Sequence, residues 1–313
     1  MNNNLKYFII VAEELNISKA AGRVFISPQC MSSHIKRLEE AYGVTLFHRK
    51  PKFRLTIEGE ILLENLRKIQ IMENSLQNQL AETCNGSAGV IKIGIHTTRA
   101  RILMPKLYPR FYDKYPNTKI LLHNGVVSET EKLVIKGDLD FFIGPYLNFA
   151  KELNTILLKN EKIYFVVSDD LLMKFFPSEF PNCKDKFMKG IDIWDFKDVP
   201  LIMTEDSSNM RKGIDNFLKK KNIKPNIVFQ ANSNDVILEL SAMGYGACFC
   251  PEMMLDLLYS VSRLNCTENK INVFPISEFD ETNLFVLAYH KNSYLPKYTR
   301  QCIDIVKEIF EES

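Results

Sequence analysis

The segment from Ile57 to Cys84 contains no proline, and its only glycine is Gly59, in the first turn. Thr56 precedes the segment with a hydroxyl that can cap a helix, and acidic residues in the first turn suit the positive end of a helix dipole. The segment therefore predicts one helix of roughly 28 residues, about 40 Å long at 1.5 Å per residue. Such a helix divides the chain into a short N-terminal module and a larger C-terminal body.

One face of this predicted helix carries apolar residues at heptad-like spacing, interrupted by Glu73: Leu62, Leu66, Ile69, Leu76 and Leu80. Fewer than three heptads are weak evidence for a coiled coil. A long helix with one apolar seam must nevertheless bury that seam against something. The NGSAG sequence at 85–89 then predicts a hinge before the C-terminal body.

A second predicted helix, within ISPQCMSSHIKRLEE at 26–40, has an apolar face and an opposite polar face whose residue types change along the helix axis. Ser27 suits the N-cap, Pro28 the first helical position and Gly43 a left-handed stop. An apolar stripe lies on one face, at Met31, Ile35, Leu38 and Tyr42. The opposite face changes along the axis from small polar groups to cations and then to acids. This grading suits a helix whose first half enters a DNA major groove, although an ordinary amphipathic helix explains it almost equally well.

The surrounding elements favour the DNA-binding interpretation. Leu5–Glu14 predicts a first helix, and Ser18 is expected to cap a short second helix over 19–24, so that a helix-turn-helix results. VTLFHR, KPKF and RLT then predict a basic hairpin, or wing. Residues 19–54 hold eight Lys/Arg against two Glu, a surplus of six, whereas the rest of the chain has 32 Lys/Arg and 36 Asp/Glu. A basic module on a mildly acidic body is typical of a DNA-binding protein with a separate control domain.

Residues 5–59 resemble the winged helix-turn-helix of LysR-type transcriptional regulators. The resemblance rests on AA in the second helix, the S..…S..I..LE pattern of the reading helix, G..LF.R and the closing LT..G. Pro28-Gln29 and Ser33-His34 depart from the usual Gln-Pro and Arg-Gln pairs, so no particular base contact is carried over. The expected DNA-binding residues are Ser18, Ser27, Pro28, Gln29, Cys30, Ser32, Ser33, Lys36 and Arg37 on the helices, and Arg49, Lys50, Lys52 and Arg54 on the wing.

The resemblance implies three parts: a winged helix-turn-helix DNA-binding domain at 1–58, a linker helix and hinge at 59–89, and an effector-binding domain at 90–313. It also implies a homodimer formed through the linker helix, further pairing into a tetramer, and a partly palindromic double-stranded operator. A small-molecule effector and contact with RNA polymerase are further partners that the resemblance implies.

The C-terminal body alternates strands and helices, which predicts parallel α/β units in two lobes joined by two crossovers, as in periplasmic binding proteins. Lobe I is expected at about 90–165 and 270–313, and lobe II at about 166–269. VFPIS and NLFVLAYH are expected to cross back to lobe I. The segment 174–198 is longer and more irregular than a usual connection, and its role stays open.

Ligands of open α/β lobes bind beyond the carboxyl ends of strands, near helix N-termini. This rule selects Thr97, Thr98, Arg99, Ser128, Gly144, Pro145, Tyr146, Thr204, Ser233 and Asn234 as effector-binding residues. Plain helix capping explains each hydroxyl or amide about as well. Arg99 and Arg101 suggest an anionic effector, although a solvated surface would also explain them.

Other classes of protein find little support in the sequence. There is no GxSxG, Walker, GxGxxG or HExxH motif, so we expect neither catalysis nor a cofactor. Seven scattered cysteines and dispersed histidines predict no metal site, no disulfide framework and a cytoplasmic protein. A redox-sensing regulator acting through Cys183 stays an alternative. A free solute-binding protein is a remote one, because it would not need residues 1–58 and would need a signal peptide.

Overall fold

A computed structural model of the chain describes residues 2–85, 89–146, 148–206, 208–258, 270–279 and 283–312. The N-terminal module comprises α1 (Asn3–Glu14), α2 (Ile17–Arg23), α3 (Pro28–Tyr42), β1 (Phe47–His48) and β2 (Arg54–Leu55). The strands β1 and β2 pair antiparallel and form the predicted wing. The module therefore has the predicted order of three helices and a hairpin.

Side-chain caps set where the three helices begin. Ser27 caps α3 and Gly43 ends it with a φ of 67°, as predicted. The prediction that Ser18 caps α2 is wrong. The side chain of Asn16 accepts a hydrogen bond from Lys19 N at 3.0 Å, which starts the helix at Ile17, and Ser18 is an exposed helical residue.

The linker helix α4 runs from Ile57 to Asn85, and Thr56 Oγ1 accepts from Gly59 N at its start. Its apolar residues do not form one seam. Leu63 and Leu66 belong to the core of the N-terminal module, together with Phe8, Met31 and Phe47. Farther along, the buried Ile71 faces the C-terminal body, whereas four apolar residues remain exposed: Ile69, Met72, Leu76 and Leu80. The exposed set follows spacings of three, four and four, and thus occupies one helix face.

Lobe I contains a five-stranded sheet in the order β4-β3-β5-β12-β6. Its strands are β3 (Gly89–Ile95), β4 (Thr118–His123), β5 (Phe141–Pro145), β6 (Leu153–Asn160) and β12 (Leu284–His290). The first three are parallel, as predicted, and β12 runs antiparallel to both β5 and β6. Helices α5 (Thr97–Tyr112), α6 (Val127–Lys136) and α11 (Lys297–Glu311) pack on this sheet.

Lobe II corrects two expectations. The strand β7 (Ile163–Ser168) pairs antiparallel with β10 (Cys248–Pro251) and with β11 (Ile271–Pro275), so that the lobe is not wholly parallel. The segment VFPIS therefore belongs to lobe II and does not return to lobe I. Among the described strands, β8 (Leu201–Thr204) and β9 (Ile227–Ala231) keep the predicted parallel pairing. The chain enters lobe II just after Asn160 and leaves it after β11.

The irregular segment 174–198 completes the core of lobe II. It includes the end of α7 (Asp169–Phe175), α8 (Cys183–Phe187) and a 3-10 turn (Ile193–Phe196). Aromatic rings from these elements pack against Phe165 and Phe274 of the sheet: Phe196 lies 4.9 Å from Phe165 and Phe187 lies 5.5 Å from Phe274, between ring centroids. Two further helices of the lobe are α9 (Asn209–Lys220) and α10 (Asn234–Ala242).

Within these described ranges, no helix is both long and apolar enough to cross a membrane. The same residues contain no group of three or more His, Cys, Asp and Glu side chains placed to hold a metal ion.

Candidate DNA interface and effector cleft

The helix α3 exposes its predicted reading face because the opposite face is fixed in the core. Met31, Ile35 and Leu38 are buried among residues of α1 and the wing. The side chains left on the outer surface are Pro28, Gln29, Cys30, Ser33, Lys36 and Arg37, with Ser32 half-buried at the edge. The hydroxyl of Ser27 accepts from Cys30 N at 3.2 Å, so its role is to cap the helix.

Two further side chains of α3, one of them at a departure from the usual family pattern, fix the orientation of the helix. His34 Nδ1 lies 2.7 Å from Asn4 Oδ1, and its ring packs edge-on against Tyr7 of α1. The sequence places Glu39 among the acids at the end of the helix that leaves the groove. Its Oε1 accepts from Leu46 N at 2.9 Å and its Oε2 from Arg49 at 3.5 Å, so this acid joins α3 to the wing.

The wing presents exposed cations beside the reading helix. Arg49, Lys50, Lys52 and Arg54 are all exposed. The hairpin register pairs His48 with Arg54, which brings the two basic stretches to neighbouring strands. Flexible cations at the rim of a reading helix are suited to phosphates, which supply affinity without choosing a sequence.

The predicted effector residues lie at strand ends of both lobes. In lobe I, Thr97 begins α5 after β3, and its N–H donates to Asn124 Oδ1 at 3.0 Å, beyond the end of β4. Ser128 lies in the first turn of α6, and a Cβ on Gly144 would come within 3.1 Å of Val127.

In lobe II, Thr204 ends β8, and Ser233 and Asn234 begin α10. Thr98 and Gly144 are buried, whereas Tyr146 is half exposed and packs edge-on against Phe149.

Arg99 lies at the point where the chain crosses between the lobes. Its two terminal nitrogens donate to the two carboxylate oxygens of Glu161 at 2.6 and 2.7 Å, and its guanidinium lies 4.4 Å from the ring centroid of Phe285. Glu161 also accepts from Asn283 Nδ2 and from Met253 N. Both charged residues are more than nine-tenths buried. The pairing makes Arg99 a structural residue of the hinge and leaves it no free face for an effector.

A second ion pair joins the two lobes at the helix entrances. Arg101 of α5 donates to Asp235 Oδ2 of α10 at 2.5 Å. Burial lowers the pKa of His96, the residue that precedes α5, and the charge of Arg99 lowers it further against the opposing effect of Asp235. The N-termini of α5 and α10, one from each lobe, therefore meet across the same gap.

Three buried oxygens of lobe II have no hydrogen-bond partner within the described residues: Thr204 Oγ1 at the end of β8, Asp235 Oδ1 in the first turn of α10, and Ser241 Oγ farther along α10. The carbonyl of Thr204 accepts from Arg211, whose guanidinium also contacts Asp206 and Asp215. Sequence reasoning missed Glu161, Asp235 and Arg211, since their roles depend on partners far away in the chain or across the two lobes.

A cavity of about 260 Å³ lies elsewhere, between α5, the segment 252–256 and the end of α11. Its apolar wall includes Ile102, Leu103 and Phe310, and Lys106 and Lys159 pair with Asp256 and Glu252 at its rim. None of the predicted effector residues lines this cavity.

Comparison with known proteins identifies the family. Residues 2–60 match the model of the bacterial regulatory helix-turn-helix protein, lysR family, and residues 85–311 match the LysR substrate binding domain. The chain is a LysR-type transcriptional regulator. It is 28% identical over 299 residues to the HTH-type transcriptional regulator AlsR of Bacillus subtilis (strain 168), covering 94% of this chain and 91% of AlsR.

Solved structures of LysR-type regulators share the fold over nearly the whole chain. A full-length OxyR variant from Pseudomonas aeruginosa has a TM-score of 0.65 at 20% identity, covering 98% of this chain and 93% of OxyR. Full-length CbnR in complex with its target DNA has a TM-score of 0.55 at 20% identity, covering 98% and 99%. These matches confirm the predicted fold class, a winged helix-turn-helix followed by a two-lobed α/β effector domain. The relatives are transcriptional regulators, and neither matched family model describes a catalytic domain.

Proposed function

We propose that this regulator is controlled by a small molecule that binds between the two lobes of its effector domain. The observation that carries the proposal is the meeting of two helix N-termini from opposite lobes, held together by Arg101 and Asp235. A ligand there would contact both lobes and would thus favour one interlobe arrangement over another, which is the requirement for an effector to act. The expected contacts are Thr97, Thr98, Ser128, Gly144, Pro145, Tyr146, Thr204, Ser233 and Asn234.

We infer a small carboxylate as the class of effector. Arg99 no longer supports this inference, because Glu161 neutralises it in the hinge. The support comes from the starts of α5, α6 and α10, where the N-cap residue gives the first turn no side-chain hydrogen bond. Such helix N-termini favour an anion. Arg101 adds a half-exposed cation beside them, and its partner Asp235 limits how much it contributes.

A thermal-shift screen of the full chain tests the effector site. Small carboxylates are compared with the matching neutral amides, and we expect at least one carboxylate to raise the melting temperature. Thr204→Val should then weaken that ligand about tenfold, because one hydrogen bond to a charged ligand is lost. Thr299→Val is a matched control: its hydroxyl is also buried without a partner in the described structure, but it lies on α11 away from the cleft. Equal weakening by both substitutions would contradict the proposal.

We also propose that the DNA-binding unit is a homodimer formed through α4 that binds a partly palindromic operator. The exposed face of Ile69, Met72, Leu76 and Leu80 supports this, since a surface helix does not ordinarily leave such a continuous apolar face in water. Further pairing into a tetramer has support from exposed apolar residues on β4 and β9, each an edge strand of its sheet: Leu121, Leu122, Val228 and Phe229. Contact with RNA polymerase stays a prediction.

Light scattering of the Leu76→Glu variant tests the dimer, because a charge on the apolar face of α4 should lower the measured mass. An unchanged mass would contradict the α4 interface.

A redox-sensing role through Cys183 is less well supported. Its thiol is buried, and burial raises its pKa, which disfavours the reactive thiolate. Burial also raises the pKa of Cys248 and of Cys302 to about 12. Cys30 is the exposed cysteine among those described, whereas Cys266 and the side chain of Cys84 lie outside the described structure.

A further inference from the structure

The helix α6 connects the candidate effector cleft with the DNA-binding domain of the same chain. Its first turn carries Ser128, at the cleft. Its last residue, Lys136, contacts α1 of the N-terminal module, and Gly137, which follows it, contacts the linker helix α4. Ten residues at 1.5 Å each separate these ends by about 15 Å. The same rigid element therefore begins at one candidate functional site and ends at the domain that carries the other.

The contact with α1 is an ion pair at the domain boundary. Lys136 Nζ donates to Glu13 Oε1 at 2.6 Å, and Arg23 of α2 donates to Glu13 Oε2 at 2.8 Å. The side chains of Lys136 and Glu13 are only 26% and 17% exposed, so solvent screens this pair less than a pair on an open surface. Burial raises the pKa of Glu13, but hydrogen bonds from Lys136 and Arg23 outweigh burial and leave the pKa below its usual range. One carboxylate thus joins α1, α2 and α6.

The contact with α4 depends on close backbone approach. Asn74 Nδ2 donates to the carbonyl of Gly137 at 3.1 Å. Gly137 ends α6 in the left-handed conformation, with a φ of +77°, and a Cβ at this position would lie 3.2 Å from the side chain of Ile71. Ile71 is 2% exposed. Glycine therefore both ends α6 and lets the linker helix approach it.

We propose that the C-terminal end of α6, defined as Lys136 and Gly137, is a docking point that fixes the DNA-binding domain relative to its own effector domain. Lys136 is then a positioning residue for DNA recognition, although it does not itself contact DNA. In a dimer, fixed domains set the distance and angle between the two reading helices, and this distance must match the spacing of two half-sites. If this contact were weakened, each reading helix would stay intact. The dimer would, however, bind operators with a wrong half-site spacing more readily and would no longer be preorganised for the correct spacing.

The test uses the full-length protein and a DNA duplex selected from a random pool by the wild type. Affinity is measured by fluorescence anisotropy for that duplex, for variants with one to five base pairs added or removed between the half-sites, and for a random duplex. We expect Lys136→Met to lower the affinity for the selected duplex about 5- to 10-fold and to flatten the spacing preference. Affinity for the random duplex should stay within about twofold, because phosphate contacts supply it.

Three further variants separate docking from general damage. Lys136→Arg keeps a donor to Glu13 and should restore the sharp spacing preference. Lys132→Glu changes the charge of an exposed residue on the same helix and should leave the preference unchanged. Asn74→Ala removes the second contact and should flatten the preference less than Lys136→Met does. A wild-type spacing preference in Lys136→Met, or an equal loss in Lys132→Glu, would overturn the proposal. No effector is present in this experiment, so its outcome is independent of the proposed ligand site.

Discussion

The two ends of the chain use cationic side chains in opposite ways. In the N-terminal module, Arg37, Lys50, Lys52 and Arg54 are exposed, and no described carboxylate lies within ion-pair distance of them. In the effector domain, the arginines at the lobe boundary bind carboxylates: Arg99 with Glu161, Arg101 with Asp235, and Arg211 with Asp206 and Asp215. Accessible cations can exchange solvent ions for DNA phosphates, whereas paired and buried cations hold a fold together.

The largest effect is expected at the hinge. Arg99→Ala leaves the buried carboxylate of Glu161 without its partner, which should lower the free energy of unfolding by about 3–5 kcal/mol. Lys52→Ala, in the wing, should change it by less than about 0.5 kcal/mol. Urea unfolding of the full chain, followed by circular dichroism, measures both. A loss below about 1 kcal/mol for Arg99→Ala would remove the distinction between structural and accessible cations.

Within the DNA-binding domain, the reading face should determine which sequence is bound. Gln29→Ala and Ser33→Ala should each change the discrimination between the selected duplex and single-base variants by about 1–3 kcal/mol, because both side chains lie on the face of α3 that would meet base edges. Competition binding with a panel of single-base variants measures the change. Equal weakening on selected and random duplexes would mean that these residues contact only the backbone.

The wing should supply affinity without sequence choice. Lys52→Ala should weaken selected and random duplexes alike and should reduce the slope of log affinity against log salt by about one unit. Titrations between low and physiological salt give the slope. An altered base preference with an unchanged salt slope would mean that Lys52 contacts bases and not phosphates, and would contradict the difference in role between the wing and α3.

The smallest effect is a dependence of effector-domain stability on acid. Burial lowers the pKa of His290, and its Nδ1 accepts from Asn292 N at 3.1 Å, so the folded state holds the neutral ring. A histidine whose pKa is lower in the folded state than in the unfolded state favours folding fully when the pH is above the unfolded-state pKa. As the pH falls below that pKa, the unfolded state binds the proton first, and the free energy of unfolding declines. Stability should therefore fall below about pH 6.5, by at most about 1.4 kcal/mol per pH unit for this one proton. His290→Gln should reduce the decline, and an unchanged decline would exclude this residue as the cause.

Local signals explain why the N-terminal module could be predicted well. Ser27, Pro28, Gly43 and Thr56 act on neighbouring backbone groups, so sequence spacing alone gave the boundaries of α3 and the start of α4. The error at Ser18 arose because two residues suited to capping, Asn16 and Ser18, lie two positions apart in the sequence, and the side chain of Asn16 is the one that caps.

Pairing over long sequence distances explains what could not be predicted. The antiparallel strands β7, β10 and β11 are each apolar enough to pass for buried parallel strands, so periodicity did not show their direction. Arg99 and Glu161 are 62 residues apart, and nothing near Arg99 in the sequence shows that a carboxylate neutralises it. The exposed face of α4 could not be predicted either, because Leu66 and Ile69 belong to one heptad pattern, yet Leu66 is buried in the N-terminal core and Ile69 is exposed.

The salt dependence of DNA binding by the full-length wild-type chain tests the central claim most directly. Affinities for the selected and random duplexes are measured by anisotropy between 50 and 200 mM salt, on the order of the range in which phosphate contacts weaken strongly. We predict a steep decline for both duplexes, with the selected duplex bound more tightly throughout. Binding that is absent, or that does not respond to salt, would contradict the assignment of the exposed cations to DNA.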